Sequence, residues 1–419
     1  MTNKHKNVPE LRFKGFTDEW KLCALGELSS LRGGFAFSSE KFRAKGVPIV
    51  RISNILPTGE IGGDYVFYDE EVKDENYLLP NKAAVLAMSG ATTGKVSILD
   101  NPQNKKIYQN QRVGYFTKKD STDYGFVSTL VRSHLFINQL NSVLVAGAQP
   151  NVSSRDIDSF EFKVPMQIKE QQKIGLFFAN LDHLITLHQR KLDLLKEQKK
   201  GFLQKMFPKN GETVPVLRFE RFAGAWEQCR LSELATMNAR IGWQNLRTSE
   251  FLDTGDYMLI TGTDFKDDAI DFSGIHYVEK ERFDQDKKIQ IQNGSILITK
   301  DGTLGKVAYV EDLTMPATLN AGVFNVRVKD DTEVHSKYLF HYLKAPFLLK
   351  YAEAHSTGGT IKHLNQNVLV NFSIPLPNKT EQKKISNFFS HLDTLVILQQ
   401  RKLDLLKEQK KGFLQKMFV

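Results

Sequence analysis

The chain has 419 residues, of which 41% are hydrophobic and 25% charged, a composition typical of a globular protein. Lys and Arg total 57 against 48 Asp and Glu, and the net charge of +9 favours a polyanionic partner. No apolar run reaches the roughly 18 residues of a membrane span, and the first residues lack the apolar core of a secretory signal. Two cysteines cannot form a disulfide scaffold or a four-cysteine zinc site, so we expect a reducing, cytoplasmic location.

The sequence contains a long internal repeat. Gln189–Phe207 recurs unchanged as Gln400–Phe418, and extending both segments back by 19 residues leaves 29 of 38 positions identical. A weaker repeat opens each half, because residues 8–28 and 214–234 agree at 11 of 21 positions. It includes both cysteines, which we interpret as buried packing residues in equivalent environments. The chain therefore alternates variable and constant segments, each twice.

Apolar or bulky residues in the constant segments follow alternating spacings of four and three residues, which is the heptad pattern of a coiled coil. No proline interrupts either 38-residue run, and a helix of that length extends about 57 Å. We predict that the two helices cover each other's apolar seam as an antiparallel coiled coil around a pseudo-twofold axis. The polar seam positions are His188 and Lys199 in the first copy and Gln399 and Lys410 in the second.

The variable segments between the constant ones read as mixed α/β modules, so the fold class is α+β. Short apolar runs rich in β-branched residues predict strands at 48–53, 83–87 and 294–299. Apolar residues at three- and four-residue spacing predict helices at 126–145 and 338–352.

A glycine-rich turn ending in lysine occurs in both modules, at Gly90–Lys95 and at Gly302–Lys306. A Walker loop has four residues between its glycines and Ser or Thr after the lysine, whereas both turns are shorter there and continue with valine. Two interpretations stay open: a contact to DNA phosphate or a groove edge, and a purely structural turn between strands. No motif of a methyltransferase, a metal-dependent nuclease or a metal site is found, and we expect no catalysis by this chain.

The whole chain resembles the specificity subunit of type I restriction-modification systems. Four pairs of motifs carry the resemblance: the openings Pro9–Trp20 and Pro215–Trp226, the helix entries Val164–Ile174 and Leu376–Ile385, the Phe-Phe…Leu-Asp motifs Phe177–Asp182 and Phe388–Asp393, and the endings at Phe207 and Phe418.

The resemblance implies target recognition domains at 1–168 and 209–379 and conserved spacer helices at 169–208 and 380–419. Each recognition domain would read one half of an asymmetric bipartite site in double-stranded DNA, and the spacer would set the gap. The subunit would have no cofactor of its own. It would bind two modification subunits, which methylate adenine with S-adenosylmethionine, and restriction subunits, which use ATP and magnesium, in a prokaryotic cytoplasm and away from any membrane.

Polar and basic residues in the loops of the two modules are the candidate DNA contacts, since Arg, Asn and Gln read base edges while Lys and Thr more often hold phosphate. The first set is Arg32, Arg51, Asn54, Ser89, Thr92, Thr93, Lys95, Gln109, Gln111, Arg112, Gln149, Asn151 and Arg155. The second set is Arg240, Trp243, Gln244, Arg247, Lys300, Thr303, Lys306, Asn320, Thr360, Lys362, His363 and Asn365.

Two other classes of protein would also show such a repeat. One is a scaffold, in which a coiled-coil pseudo-dimer displays two protein-binding modules. The other is a nucleic-acid enzyme whose active site has no recognisable motif. The basic net charge and the resemblance along the whole chain favour the specificity subunit over both.

Overall fold

The chain forms two compact units, each built from one variable segment and parts of both constant helices. A computed structural model describes residues 7–144, 151–209, 211–241, 244–300, 305–355 and 365–419. Unit 1 comprises Met1–Gln189 and Arg401–Val419, and unit 2 comprises Arg190–Gln400. Each unit thus contains the first part of one constant helix and, from the other constant helix, the last part.

The strands of unit 1 are β1 (Lys21–Ala24), β2 (Leu31–Arg32), β3 (Val47–Val50), β4 (Val66–Tyr68), β5 (Ala84–Ala87), β6 (Val96–Ile98), β7 (Tyr108–Gln109), β8 (Val113–Phe116) and β9 (Glu161–Val164). Its helices are α1 (Leu25–Leu28), α2 (Tyr124–Leu130), α3 (His134–Leu144), α4 (Ser154–Asp158) and the start of α5 (Ile168–Lys205). Among these strands, β2-β8-β5-β6 form an antiparallel sheet, β4-β3-β7 form a second sheet in which β3 and β7 are parallel, and β1 pairs with β9.

The strands of unit 2 are β10 (Glu227–Arg230), β11 (Ala235–Ala239), β12 (Met258–Ile260), β13 (Phe265–Lys266), β14 (Ala269–Ile270), β15 (His276–Tyr277), β16 (Gln290–Ile291), β17 (Ile296–Thr299), β18 (Val307–Tyr309), β19 (Ala317–Leu319), β20 (Val323–Val328) and β21 (Ser373–Leu376). Its helices are α6 (Leu231–Leu234), α7 (Lys280–Asp284), α8 (Ser336–Lys344), α9 (Pro346–His355), α10 (Gln366–Leu369) and the start of α11 (Lys379–Lys416). The sheets repeat the pattern of unit 1: β11-β20-β17-β18 is antiparallel, β15-β12-β19-β16 contains the parallel pair β12/β19, and β10 pairs with β21.

The three predicted strands are present at nearly the expected places. β5 and β17 are completely buried, because each lies inside a sheet whose two faces are covered, and such strands read as continuous apolar runs. The predicted strand 48–53 is shorter, since β3 ends at Val50 and a 3-10 turn follows at Ile52–Asn54.

Each of the two predicted module helices is in fact a pair of helices. In unit 2 the break falls at Ala345, which has extended backbone angles because the ring of Pro346 disfavours the helical conformation in the preceding residue. In unit 1 the break falls at 131–133, where the Ser133 hydroxyl accepts a 3.5 Å hydrogen bond from the Phe136 N–H in the first turn of α3. The spacing of apolar residues does not indicate such a break, because both helices of each pair bury apolar side chains and the pattern continues across the break.

The constant segments form the two predicted long helices, α5 and α11, each of 38 residues. In unit 1 the ring of Phe177 packs 5.0 Å from that of Phe413, between centroids. In unit 2 Phe202 packs 5.0 Å from Phe388. The start of each helix therefore lies against the end of the other, which confirms the antiparallel pairing. Within the described part of the chain, no helix is both long and apolar enough to cross a membrane.

A buried ion pair holds the opening segment of each half against the start of a constant helix. Arg12 donates two hydrogen bonds of 2.6 and 2.8 Å to the carboxylate of Glu170, which is 1% exposed. Arg218 makes the same bidentate contact with Glu381, at 2.7 and 2.8 Å. These hydrogen bonds raise the pKa of both guanidinium groups. The shared Leu-Arg-Phe and Glu-Gln motifs thus supply the two halves of one interaction.

Backbone contacts extend the same clamp. The Leu217 N–H donates to the Lys205 carbonyl at 2.8 Å, and so satisfies an otherwise open carbonyl at the end of α5. In unit 1 the Leu11 N–H makes the equivalent 2.9 Å hydrogen bond to Lys416 at the end of α11. The repeat therefore preserves the contact, although Leu217 follows Lys205 closely in the sequence whereas Leu11 and Lys416 are far apart in it.

The cysteines lie at equivalent positions, as expected, but are half-buried rather than fully buried. Cys23 is on β1 and Cys229 on β10, each beside the main core of its unit. Partial burial raises the pKa of both thiols. A raised pKa disfavours the reactive thiolate, in keeping with a packing role.

We expect Arg218→Ala to destabilise unit 2 by about 3 kcal/mol, because it leaves the Glu381 carboxylate buried without its partner. Hydrogen exchange would show this as faster exchange of the β17 amides, with the β5 amides of unit 1 unchanged. Arg43→Ala is a suitable control, since its ion pair with Asp69 is largely exposed and its loss should cost under about 1 kcal/mol. Equal effects of the two substitutions would contradict the clamp.

Candidate nucleic-acid interface

The glycine turn of unit 1 follows the buried strand β5. Gly90 and Gly94 have φ angles of 84° and 86°, which residues with a side chain rarely adopt. The Thr93 N–H donates to the Gly90 carbonyl at 3.1 Å, and the Lys95 N–H to the Thr92 carbonyl at 3.0 Å. This compact turn leaves the Lys95 side chain exposed. The turn is thus structurally defined, and it displays a cation.

Three further segments of unit 1 meet at this turn. The Thr92 hydroxyl donates to the Ile52 carbonyl at 3.4 Å, Ser89 forms a β-bridge with Asn151, and the Met88 N–H donates to the Arg112 carbonyl at 3.0 Å. We call residues 51–54, 89–95, 110–112 and 151–155 the first candidate surface. Its basic side chains are those of Arg51, Lys95, Arg112 and Arg155, all exposed or half-exposed. Four basic side chains on adjoining segments suit a polyanion.

Unit 2 contains the equivalent arrangement. The Lys300 N–H donates to the Gly322 carbonyl at 2.8 Å, and the Asn320 N–H to Ile260 at 2.9 Å. The Lys306 N–H donates to the Thr299 hydroxyl at 3.0 Å, and the Lys306 side chain is exposed. We call residues 261–264, 300, 305–306 and 320–322 the second candidate surface.

Two arginines predicted to contact DNA instead support the modules from inside. Arg240 is 1% exposed, and its guanidinium donates to the Leu319 carbonyl at 2.8 Å. Arg32 is half-buried and donates to the Gln109 side chain at 2.7 Å and to the Leu78 carbonyl at 3.3 Å. Burial lowers the pKa of both arginines. We correct their assignment, because Arg32 holds the side chain of Gln109 on β7 and Arg240 holds the backbone of Leu319 on β19.

Three amide-bearing candidates are also interior. Asn54 donates to the carbonyls of Gly62 and Asp64 at 3.0 and 3.1 Å. Gln109 is fully buried, and Gln244 is 6% exposed. Buried amides in such positions hold loops together and cannot reach a base edge without unfolding the module. Polar residues in loops look alike in a sequence, whether they point inwards or outwards.

The structure leaves the other described candidates open to solvent, and their roles remain predictions. In unit 1 these are Arg51, Ser89, Thr92, Thr93, Lys95, Gln111, Arg112, Asn151 and Arg155; in unit 2 they are Arg247, Lys300, Lys306, Asn320 and Asn365. Gln149, Trp243, Thr303, Thr360, Lys362 and His363 lie outside the described residues.

Sequence reasoning missed Thr261 and Thr263, which occupy the places in unit 2 that Arg51 and Ser53 occupy in unit 1. In both units the first residue of the turn donates its N–H to a polar side chain three residues later, at 3.0 Å in unit 1 and at 2.7 Å to Asp264 in unit 2. An alignment of the modules at an offset of 210 would have indicated these threonines. The weak similarity of the modules hid this register.

An ionic joint fastens the recognition module of unit 1 to both helices. The Asp182 carboxylate of α5 accepts a 2.7 Å hydrogen bond from Arg132 and contacts the ammonium of Lys410 on α11. Burial raises the pKa of Asp182, but the two cations outweigh it and the net pKa is lowered. Burial and the neighbouring Arg132 lower the pKa of Lys410. The predicted polar seam position thus has a partner, the Asp of the Leu-Asp motif.

The joint of unit 2 has one more charge. Lys199 of α5 contacts Asp393 of α11, as in the first copy, and Lys344 of α8 takes the place of the arginine, 3.7 Å from Asp393. Asp268 of the module adds a second carboxylate, 2.5 Å from Lys344 and 3.4 Å from Lys199. Burial lowers the pKa of Lys199, but its two carboxylate neighbours outweigh this and the net pKa is raised.

Comparisons with known proteins agree with this architecture. The family model for the type I restriction modification DNA specificity domain matches twice, at residues 17–197 and 224–408. A type I restriction enzyme specificity subunit of Methanocaldococcus jannaschii, MjaVIII, is 20% identical over 97% of this chain and 94% of its own length. The EcoBI specificity subunit of Escherichia coli is 20% identical over 90% of this chain and 81% of its own length.

Among solved structures, the S subunit of a type I restriction-modification system from M. genitalium superimposes with a TM-score of 0.65. It is 14% identical and covers 98% of this chain and 99% of its own. A second structure, from a study of complex assembly and conformational transition of the type I system, has a TM-score of 0.55 at 17% identity and covers 95% of this chain and 97% of its own. These similarities concern the fold.

The chain therefore belongs to the family of type I restriction-modification DNA specificity domains. With two such domains in one chain and relatives matched along nearly their full length, it is a specificity subunit of a type I restriction-modification system. The predicted fold class, with two mixed α/β modules and paired long helices, is confirmed.

We expect Lys95→Ala to weaken binding of the assembled complex to all DNA sequences and to reduce the salt slope of binding by about 1, because one phosphate contact is lost. Lys306→Ala should act likewise. Lys82→Ala is the control, since this exposed lysine precedes β5, at the strand's opposite end, and pairs with Asp100. DNA affinity measured at several salt concentrations checks the prediction, and a Lys95 variant that matches Lys82→Ala would contradict it.

Proposed function

We propose that each recognition domain reads one half of an asymmetric bipartite DNA site. One observation carries the proposal: the two modules share a framework, but their candidate surfaces differ in side chains. Arg51 and Arg112 of the first surface correspond to Thr261 and Gly322 of the second, while the backbone hydrogen bond behind them, from Asn110 to Val50 and from Asn320 to Ile260, is retained. Two modules with the same framework but different side chains on their candidate surfaces fit two domains that recognise different half-sites.

The spacer helices would hold the two readers at a set distance. Their seam is apolar and antiparallel, and an ionic joint connects each module to both helices. A module fastened in this way cannot slide along the coiled coil without separating charges from their partners. The length of the helices, and not a base contact, would then decide how many base pairs between the half-sites remain unread.

We also propose that the outer faces of the spacer helices recruit two modification subunits. Leu184 and Leu187 of α5 are 42% and 46% exposed, and their counterparts Leu395 and Leu398 of α11 are 36% and 54% exposed. Exposed leucines at spacings of a helical turn mark a surface that another helix covers. Because this pair of exposed leucines occurs once on each helix, the two surfaces fit two copies of one partner.

Chemistry would then belong to the partners. S-adenosylmethionine for adenine methylation, and ATP and magnesium for restriction, would be bound by the modification and restriction subunits. The division follows from the family and from the absence of cofactor motifs in the sequence. The complex would act on DNA in the cytoplasm.

The direct test is to co-express the chain with its modification subunit and to map methylated adenines in host DNA by single-molecule sequencing. We expect one asymmetric bipartite motif. Arg112→Ala should relax recognition in one half of that motif, and Asn320→Ala in the other, so each variant is the control for its counterpart. A cofactor-loaded complex that methylates without sequence preference would overturn the proposal and favour a protein scaffold.

The length of the spacer offers a second prediction. Inserting seven residues at equivalent points of α5 and α11 keeps the heptad register and lengthens each helix by about 10 Å. At about 3.4 Å per base pair, the gap in the motif should grow by about three base pairs, with both half-sites unchanged. The same sequencing measures this, and altered half-sites with an unchanged gap would refute the role of the helices as a ruler.

A further inference from the structure

The hairpin β13/β14 of unit 2 ends in a turn of two aspartates. Asp267 and Asp268 have φ angles of 50° and 67°, a left-handed conformation that aspartate tolerates better than most residues. The Asp268 side chain is 44% exposed, and it reaches the ionic joint described above. The backbone conformation of the turn thus serves to present one carboxylate.

Asp268 completes the charge balance of that joint. Lys199 and Lys344 are 15% and 8% exposed, so their ammonium groups have little access to water. Asp393 alone would leave two nearly buried cations with one carboxylate. The second carboxylate comes from the recognition domain itself, at 2.5 Å from Lys344 and 3.4 Å from Lys199. Loss of this charge would set the two ammonium groups against each other.

The backbone of Asp268 links the joint to the second candidate surface. Its carbonyl accepts a 3.1 Å hydrogen bond from the Tyr309 N–H of β18. β18 begins at Val307, directly after Lys306 of the glycine turn. Asp268 therefore contacts Lys199 of the spacer helix with its side chain. With its backbone carbonyl it holds β18, the strand that follows the glycine turn.

Unit 1 shows the same joint without this brace. The counterpart of the hairpin is the loop that begins and ends at the β-bridge Ile55↔Ile61, and its tip is Pro57-Thr58-Gly59. In the part of unit 1 that the structure describes, the carboxylate at Arg132 and Lys410 is that of Asp182, which belongs to the spacer helix. The internal repeat thus provides a comparison within one molecule.

We propose that Asp268 is a positioning residue that fixes the second recognition domain on its spacer segment and thereby makes the complex strict about the gap between half-sites. Without the brace the module keeps its contact through α8 but can shift its candidate surface. The proposal rests on the proposed reading of a bipartite site and adds the residue that sets its tolerance.

The experiment uses the complex with the modification subunit and DNA duplexes whose gap is the native length, one base pair shorter or one base pair longer. Asp268→Asn keeps the size of the side chain and its tolerance of positive φ, but removes the charge. We expect the methylation rate on off-length duplexes, relative to the native duplex, to rise about tenfold, as befits a joint weakened by one charged contact. The base preference in both half-sites should remain.

Asp267→Asn is the matched control, because it changes the neighbouring residue of the same turn, also at positive φ, and spares the joint. This variant should keep the wild-type ratio. Asp268→Glu restores the charge one methylene further out and should give a ratio between those of wild type and Asp268→Asn. If Asp268→Asn does not assemble with the modification subunit, the ratio measured for Asp268→Glu tests the proposal instead.

The proposal would be overturned if both Asp268 variants kept the wild-type ratio of off-length to native methylation rates. It would also be overturned if that ratio rose as much in Asp267→Asn as in Asp268→Asn. A lower melting temperature of the Asp268 variants would not rescue it. That result differs from a failure of the proposed function. If the wild-type complex has no bipartite motif, the reading of half-sites is wrong; if it has one and the ratio does not move, only the role of Asp268 is wrong.

Discussion

The pairing of a seam lysine with an aspartate of the opposite helix organises the molecule. A charged residue in a coiled-coil seam destabilises it unless a partner is at hand, and that partner specifies one register and one direction. Lys410 meets Asp182 in unit 1, and Lys199 meets Asp393 in unit 2. Each pair also binds a cation of its module, so the interaction that aligns the helices also seats the recognition domain.

The repeat separates what must stay constant from what can vary. The clamp of Arg12 on Glu170 recurs as Arg218 on Glu381. These groups are interior, where an unpaired charge is costly. Arg51 and Arg112, which correspond to Thr261 and Gly322, lie on exposed or half-exposed turns, where substitution costs little stability. A module can therefore change its surface while its seat on the helices is preserved.

The sequence was sufficient to predict the long helices and their direction, because a heptad repeat is a local signal and an uncovered seam requires a partner. It did not predict the breaks before His134 and at Ala345, which depend on single residues within continuous periodic patterns. The interior roles of Arg32 and Arg240 were missed as well, since a loop residue's direction is decided by tertiary contacts. The ionic joints unite residues more than 40 positions apart, which no local pattern records.

The two units also differ in how they can form during synthesis. Unit 2 is one continuous stretch, Arg190–Gln400, whereas unit 1 needs Arg401–Val419 in addition to Met1–Gln189. Met417 and Phe418 belong to the core of unit 1, beside Trp20. As the chain leaves the ribosome, the module translated first is therefore completed last and exposes an unfilled apolar site meanwhile. Chaperone binding, and the point at which the nascent chain becomes resistant to protease, should follow this order and not the order of the sequence.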